Sequence, residues 1–191
     1  MPIPDHNLPD DYLKEIGRVA VEWSRLEAAV EVAIWTLLFS RETERPAWFD
    51  EEIGRAVTTN IAVLLRIDML VTIARVRIAA APQYFEPLTA IAARVRTAYP
   101  KRNRIIHAIW EAVPRGAFRQ TYRARGTLVA SFEVISLAEI GATASEIATL
   151  TNDLQAFIAD ISDLYVDRIP RRLEQDPQDR AYLTPPGRTK R

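Results

Sequence analysis

The chain of 191 residues contains no cysteine, only two histidines and six scattered glycines. Without thiols there is no disulfide framework, no thiolate nucleophile and no Cys-ligated zinc, iron or haem. His6 sits in a Pro-punctuated N-terminal stretch, so a multi-His metal site is not available within one chain. No glycine-rich phosphate loop and no nucleophile elbow can be assembled from the glycines present. No basic segment followed by an apolar run opens the sequence, which argues against a secretory signal. The longest apolar stretch, Ala28–Phe39, is short and carries Glu31, so no membrane span is expected and a cytoplasmic location is the default.

What is present is a core-forming composition, 48% apolar, with 25 basic and 25 acidic side chains. The balance is local rather than uniform. Residues 1–60 and 126–168 are acidic, whereas 101–125 carry seven basic side chains and one acidic. A neutral total excludes broad nucleic-acid coating. The basic run of Lys101, Arg102, Arg104, Arg115, Arg119, Arg123 and Arg125 reads either as an anion-binding patch or as a surface complementing acidic helices.

Apolar periodicity is mostly helical. From Asp10 a stripe at three- and four-residue steps passes through Leu13, Ile16, Val19, Trp23, Leu26, Val30, Ile34 and Leu37, with Asp10 or Asp11 as N-cap, and fades before Pro46. A short helix is expected over Asp50–Val57. Thr59 or Asn60 then caps a helix striped by Leu64, Ile67, Val71, Ala74 and Ile78, ended before Pro82. A further helix from Glu86 carries Leu88, Ile91, Val95 and Tyr99. Pro100 kinks or restarts it, so that Arg102 stands near the start of a new helix running toward Pro114.

Residues 117–135 are rich in Phe, Tyr, Thr and Val around a central Arg-Gly and read as a β-hairpin. Ser136 with Glu139 forms a capping box over a short turn. A last helix from about Thr143 carries Ile147, Leu150, Leu154, Phe157, Ile158, Ile161 and Leu164. The expected architecture is all-α: an up-and-down bundle of four to five helices over 10–168 with a hairpin appendage near 117–135. Flexible termini flank it at 1–9 and 169–191.

Two irregularities carry chemistry. Glu27 lies within about 40° of Ile16, Trp23 and Ile34 on a helical wheel. It therefore either has a buried Arg or His partner or marks the stripe's edge and reaches water. The segment Arg102-Asn103-Arg104-Ile105-Ile106-His107-Ala108-Ile109-Trp110 holds the one histidine of the folded part. Asn103 and His107 share a helical face, with Trp110 continuing it. Arg102, roughly 140° around an ideal helix from His107, must swing to meet the imidazole. A helix start would add free N–H groups to the Arg fork for phosphate binding, and imidazole near neutral pH serves as acid or base.

An Arg followed at once by Asn and then, after four intervening residues in all, by His resembles the signature of the HEPN superfamily. The likeness covers the six residues 102–107, with the helical pattern and the Trp23–Glu27 helix as wider support. It implies a small helical bundle that pairs as a homodimer, converging both motif copies on one cleft. In active members of that superfamily the cleft is a metal-independent endoribonuclease of toxin–antitoxin, abortive-infection or other defence systems. By this resemblance Arg102 and Asn103 position the scissile phosphate and His107 assists attack of the ribose 2′-hydroxyl. Glu27, Arg104 and Trp110 support them. No cofactor or metal is implied. RNA is the substrate, and a cognate antitoxin or regulatory protein is the implied partner. Other bundles of this kind are noncatalytic dimerisation or interaction modules, and binding of a small anionic ligand at the Arg-rich segment is the third reading. The hairpin is an addition to the usual pattern, placed to cover the cleft, extend a dimer interface or bind a partner.

Overall fold

A computed structural model describes residues 8–38, 56, 58, 61–79, 81–113, 116–124 and 128–168. Four α-helices lie among the described residues: α1 (Asp10–Leu38), α2 (Val63–Arg77), α3 (Phe85–Ile106) and α4 (Leu137–Arg168). A 3₁₀ turn, Pro82–Tyr84, precedes α3. Between α3 and α4 the chain makes an antiparallel sheet in the order β1 (Ile109–Val113), β2 (Gly116–Ala124) and β3 (Leu128–Ile135). The molecule is thus mostly helical with a small β appendage. The short helix expected over Asp50–Val57, Thr59, Asn60, His6 and the tail from 169 lie outside the described residues, apart from Ala56.

The long apolar stripe of α1 makes it the central element. Val19, Trp23, Leu26, Val30, Ile34 and Leu37 are buried, and α1 touches each of the other three helices. Asp10 and Asp11 lie in its first turn, where the N-terminal dipole favours carboxylates. Ile67, Leu70, Leu88, Val95, Ile140, Ile147, Leu150 and Leu154 close the core around it. In α4 Phe157 and Ile161 are buried as expected and Ile158 is partly so.

Three boundaries differ from the sequence reading. Helix α2 opens at Val63 behind Ala62, which offers no side-chain cap, and its buried stripe runs through Val63, Ile67, Leu70 and Ala74. The capping box is formed, with Ser136 N–H donating to Glu139 Oε2 at 2.8 Å and Glu139 N–H to Ser136 Oγ at 3.3 Å. It opens α4 itself at Leu137 instead of a separate turn before Thr143.

The third difference bears on function. Helix α3 runs unbroken through Pro100 to Ile106. Ala98 and Ile105, both buried, anchor the helix on either side of the proline, so packing holds a geometry that Pro alone disfavours by about 3 kcal/mol. The segment after Ile106 is then strand and not helix. Ile109–Val113 pairs with β2 in the register Ile109 to Gln120 and Glu111 to Phe118, adding a third strand to the expected hairpin.

Candidate functional site

Because α3 is continuous, Arg102 stands just before its last turn, Asn103 falls in that turn, and His107 is its C-cap, with φ −102° and ψ 14°. The imagined helix N-terminus is absent here. The motif stands at the negative end of the helix dipole, where free carbonyls and not free N–H groups point outward. Phosphate binding at this place therefore depends on side-chain cations. His107 N–H donates to Asn103 O at 3.1 Å and closes the turn.

The cap bends the chain so that Arg102, five residues away, meets the imidazole. Arg102 Nη1 donates to Asn103 Oδ1 at 2.9 Å and lies 3.2 Å from His107 Nε2. Guanidinium can only donate, so Nε2 accepts and the imidazole proton resides on Nδ1 in this arrangement. The His107 side chain is exposed, Arg102 and Asn103 half-buried. Arg102, Asn103 and His107 thus form one hydrogen-bonded cluster with the imidazole at the surface.

Beneath it lies an aromatic floor. The Arg102 guanidinium stands over the Trp23 ring at 5.7 Å, within cation–π range, and Tyr99 packs on Trp23 with ring centroids 5.9 Å apart. Trp23 Nε1–H donates to Glu27 Oε1 at 2.8 Å. The partner of Glu27 is therefore an indole on its own helix. No ion pair joins it to Arg102 or His107 among the described residues. Arg102 Nε is buried without a hydrogen-bond partner among those residues.

The remaining expected residues point elsewhere. Trp110 leaves the helical face assigned to it, because it belongs to β1. Its indole N–H donates to Ile105 O at 3.0 Å and so satisfies a carbonyl of the helix end. Arg104 is exposed on the opposite side of α3, lining a pocket of about 390 Å³ with Lys101, Arg119, Glu133, Glu139 and Glu146.

Two of the seven basic residues of the run are neutralised by carboxylates among the described residues. Lys101 pairs with Glu146 at 2.8 Å and Arg119 with Glu133, while Arg102 and Arg104 have no carboxylate partner among the described residues. Arg115 and Arg125 lie outside those residues, as does the side chain of Arg123. No group of three or more His, Asp or Glu placed to hold a metal occurs among them.

Sequence reasoning did not single out Tyr99 or the ring face of Trp23 as parts of the site. The signal was available: Tyr99 precedes Arg102 by three residues and Trp23 precedes Glu27 by four, both same-face spacings on a helix. Comparison with family models, curated proteins and solved structures returns no match for this chain. The geometry itself is therefore what a functional reading rests on.

Proposed function

We propose that this protein is a metal-independent endoribonuclease of HEPN type that acts as a dimer, in the manner of toxin or defence effectors. The observation carrying this reading is the contact of Arg102 Nη1 with both Asn103 Oδ1 and His107 Nε2, with the imidazole exposed. An acceptor nitrogen beside an obligate cation is the pair that 2′-hydroxyl attack on a phosphodiester needs. On engaging RNA, Arg102 exchanges its His107 contact for a phosphate oxygen, freeing Nε2. His107 then takes the 2′-hydroxyl proton as the 2′-oxygen attacks phosphorus, and the departing 5′-oxygen takes a proton from solvent. The products are a 2′,3′-cyclic phosphate and a 5′-hydroxyl end.

A second reading has its own observation. The cluster sits at a helix C-terminus, whose dipole disfavours phosphate, and Arg102 is already partnered within the chain. On that reading Arg102 and His107 lock the helix end of a noncatalytic interaction module.

The deciding experiment incubates wild type and His107→Ala with structured and single-stranded RNAs in EDTA. Cleavage by wild type alone, leaving cyclic-phosphate ends, is the expected result. Intact RNA with a folded wild-type protein, or equal cleavage by both proteins, overturns the assignment of the site.

A further inference from the structure

Ion pairs between α3 and α4 follow a ladder. Arg94 meets Asp153 and Lys101 meets Glu146, so each residue gained along α3 is matched by one lost along α4. That register sets Thr143 opposite Arg104, which stands about 4.5 Å beyond Lys101 along its helix. No carboxylate continues the series there. Thr143 is buried with its hydroxyl donating to Glu139 O at 3.0 Å, and its neighbour Ala142 is too short to fill the space. What the ladder leaves open is the pocket of about 390 Å³, within the roughly 300–1,000 Å³ usual for small-molecule sites. Buried Ile105 and Ile135 give it apolar walls, and Arg102, Asn103 and His107 take no part in it.

The two sides of this pocket differ in charge. On α3, Lys101 is spent on Glu146, whereas Arg104 makes no hydrogen bond or ion pair with the described residues. On the opposite side one buried cation, Arg119, faces two carboxylates: it donates to Glu133 and acts on Glu139 through space. Glu139 accepts both bonds from Ser136 on Oε2, which leaves Oε1 without a donor among the described residues. An unspent cation therefore stands on one wall and unspent carboxylate charge on the other. Arg104 and Glu139 line the same pocket without forming an ion pair.

We infer that this pocket binds a free α-amino acid with an apolar side chain. The ligand carboxylate lies on Arg104, its ammonium on Glu139 Oε1, and its side chain against Ile105 and Ile135. A simple anion gains Arg104 but meets the negative excess across the pocket, and a simple cation meets the reverse. A molecule carrying both charges on one carbon is complementary to both walls at once. The site shares no residue with the Arg102–Asn103–His107 cluster, and the inference does not depend on ribonuclease activity.

The test follows backbone amide shifts of the isotope-labelled full chain during titration at about pH 6.5, where an α-amino group is charged. L-Leucine carries both charges, N-acetyl-L-leucine the carboxylate alone and L-leucinamide the ammonium alone. L-Leucine should shift Arg104, Ala142 and Thr143 saturably, with a Kd of about 0.1–10 mM for so small a ligand. Each single-charge analogue should bind at least about tenfold more weakly, having lost one charge-assisted hydrogen bond. Arg104→Ala, at an exposed side chain, should weaken L-leucine binding by a similar factor. Glu139→Gln, which keeps a capping-box residue, should leave L-leucine no better bound than N-acetyl-L-leucine. Should Glu139→Gln fail to fold, Arg104→Ala and the two analogues decide. Absence of saturable shifts with L-leucine overturns the inference. So does N-acetyl-L-leucine binding as tightly as L-leucine, which would reduce the pocket to an anion subsite, or shifts confined to Arg102 and His107. None of these outcomes bears on whether His107 supports cleavage.

Discussion

Glu27 accepts a hydrogen bond from the Trp23 indole, whose ring face in turn underlies the Arg102 guanidinium. If acceptance alone is its task, charge is dispensable. Glu27→Gln keeps an oxygen for the indole N–H and should shift stability by less than about 0.5 kcal/mol, whereas Glu27→Ala leaves that donor unpaired in a half-buried place and should cost about 1–2 kcal/mol. Urea midpoints of the two variants measure this, and an equally large loss in both would show that the carboxylate charge matters. The irregularity of Glu27 was legible because a carboxylate interrupts an apolar stripe. Its partner was missed because Trp23 was counted as core, although only its ring is apolar and the N–H still needs an acceptor. The Arg102 to His107 spacing was legible for a similar reason: chain chemistry is local. Whether the imidazole would actually be met by the guanidinium depended on the backbone at His107, which no residue pattern declares.

At the scale of elements, the polarity of the motif's helix was the main error. A proline in an apolar-periodic segment normally ends or kinks a helix. Pro100 does not end it, because tertiary burial of Ala98 and Ile105 outweighs the missing N–H. The strand β1 escaped notice because Ile109–Val113 is too short to separate helical from alternating patterns, and pairing with β2 decides it. The capping box, in contrast, follows from side-chain chemistry at fixed spacing and was readable as such. It also carries a titration. The Ser136 backbone N–H, then the Ser136 hydroxyl, hold the Glu139 carboxyl below its ordinary value of 4.5, with Arg119 adding a smaller effect in the same direction. A pKa lowered in the folded state means that the stabilisation is complete above the ordinary value and fades as pH falls through the lowered one. Glu139→Gln should therefore be less stable than wild type at pH 7 and should converge with it well below pH 4.5. Paired urea titrations at the two pH values check the sign, and a gap that persists in acid would assign it to packing.

For the molecule as a whole, the segregation of charge along the chain becomes inter-helix pairing. Basic α3 meets acidic α4 through Arg94–Asp153 and Lys101–Glu146, and α2 through Arg96–Asp68. That complementarity was one of two readings of the basic run 101–125, and within that run it applies to Lys101, paired with Glu146 on α4. Arg94–Asp153 and Arg96–Asp68 are exposed and Lys101–Glu146 is half-buried, and each contributes about 0–1 kcal/mol, so they select the arrangement of helices more than they stabilise it. Arg66 is different. Its side chain is 11% exposed, it donates to Glu31 on α1 at 2.5 Å, and its Nε donates to Ile61 O at 2.6 Å. This is the one described ion pair that fixes α2 against α1 from within. Removing the carboxylate would strand a cation that water reaches poorly, so Glu31→Ala should cost about 2–4 kcal/mol, against less than about 1 kcal/mol for Asp153→Ala. Replacing both partners, as in Arg66→Met with Glu31→Ala, should recover part of that loss because no charge is left unpaired. Denaturant midpoints of the three variants and wild type separate the effects. A Glu31→Ala cost no greater than that of Asp153→Ala would mean that the Ile61 carbonyl alone holds Arg66. In that case α2 would be fixed by Ile67 and Leu70 packing and not by charge.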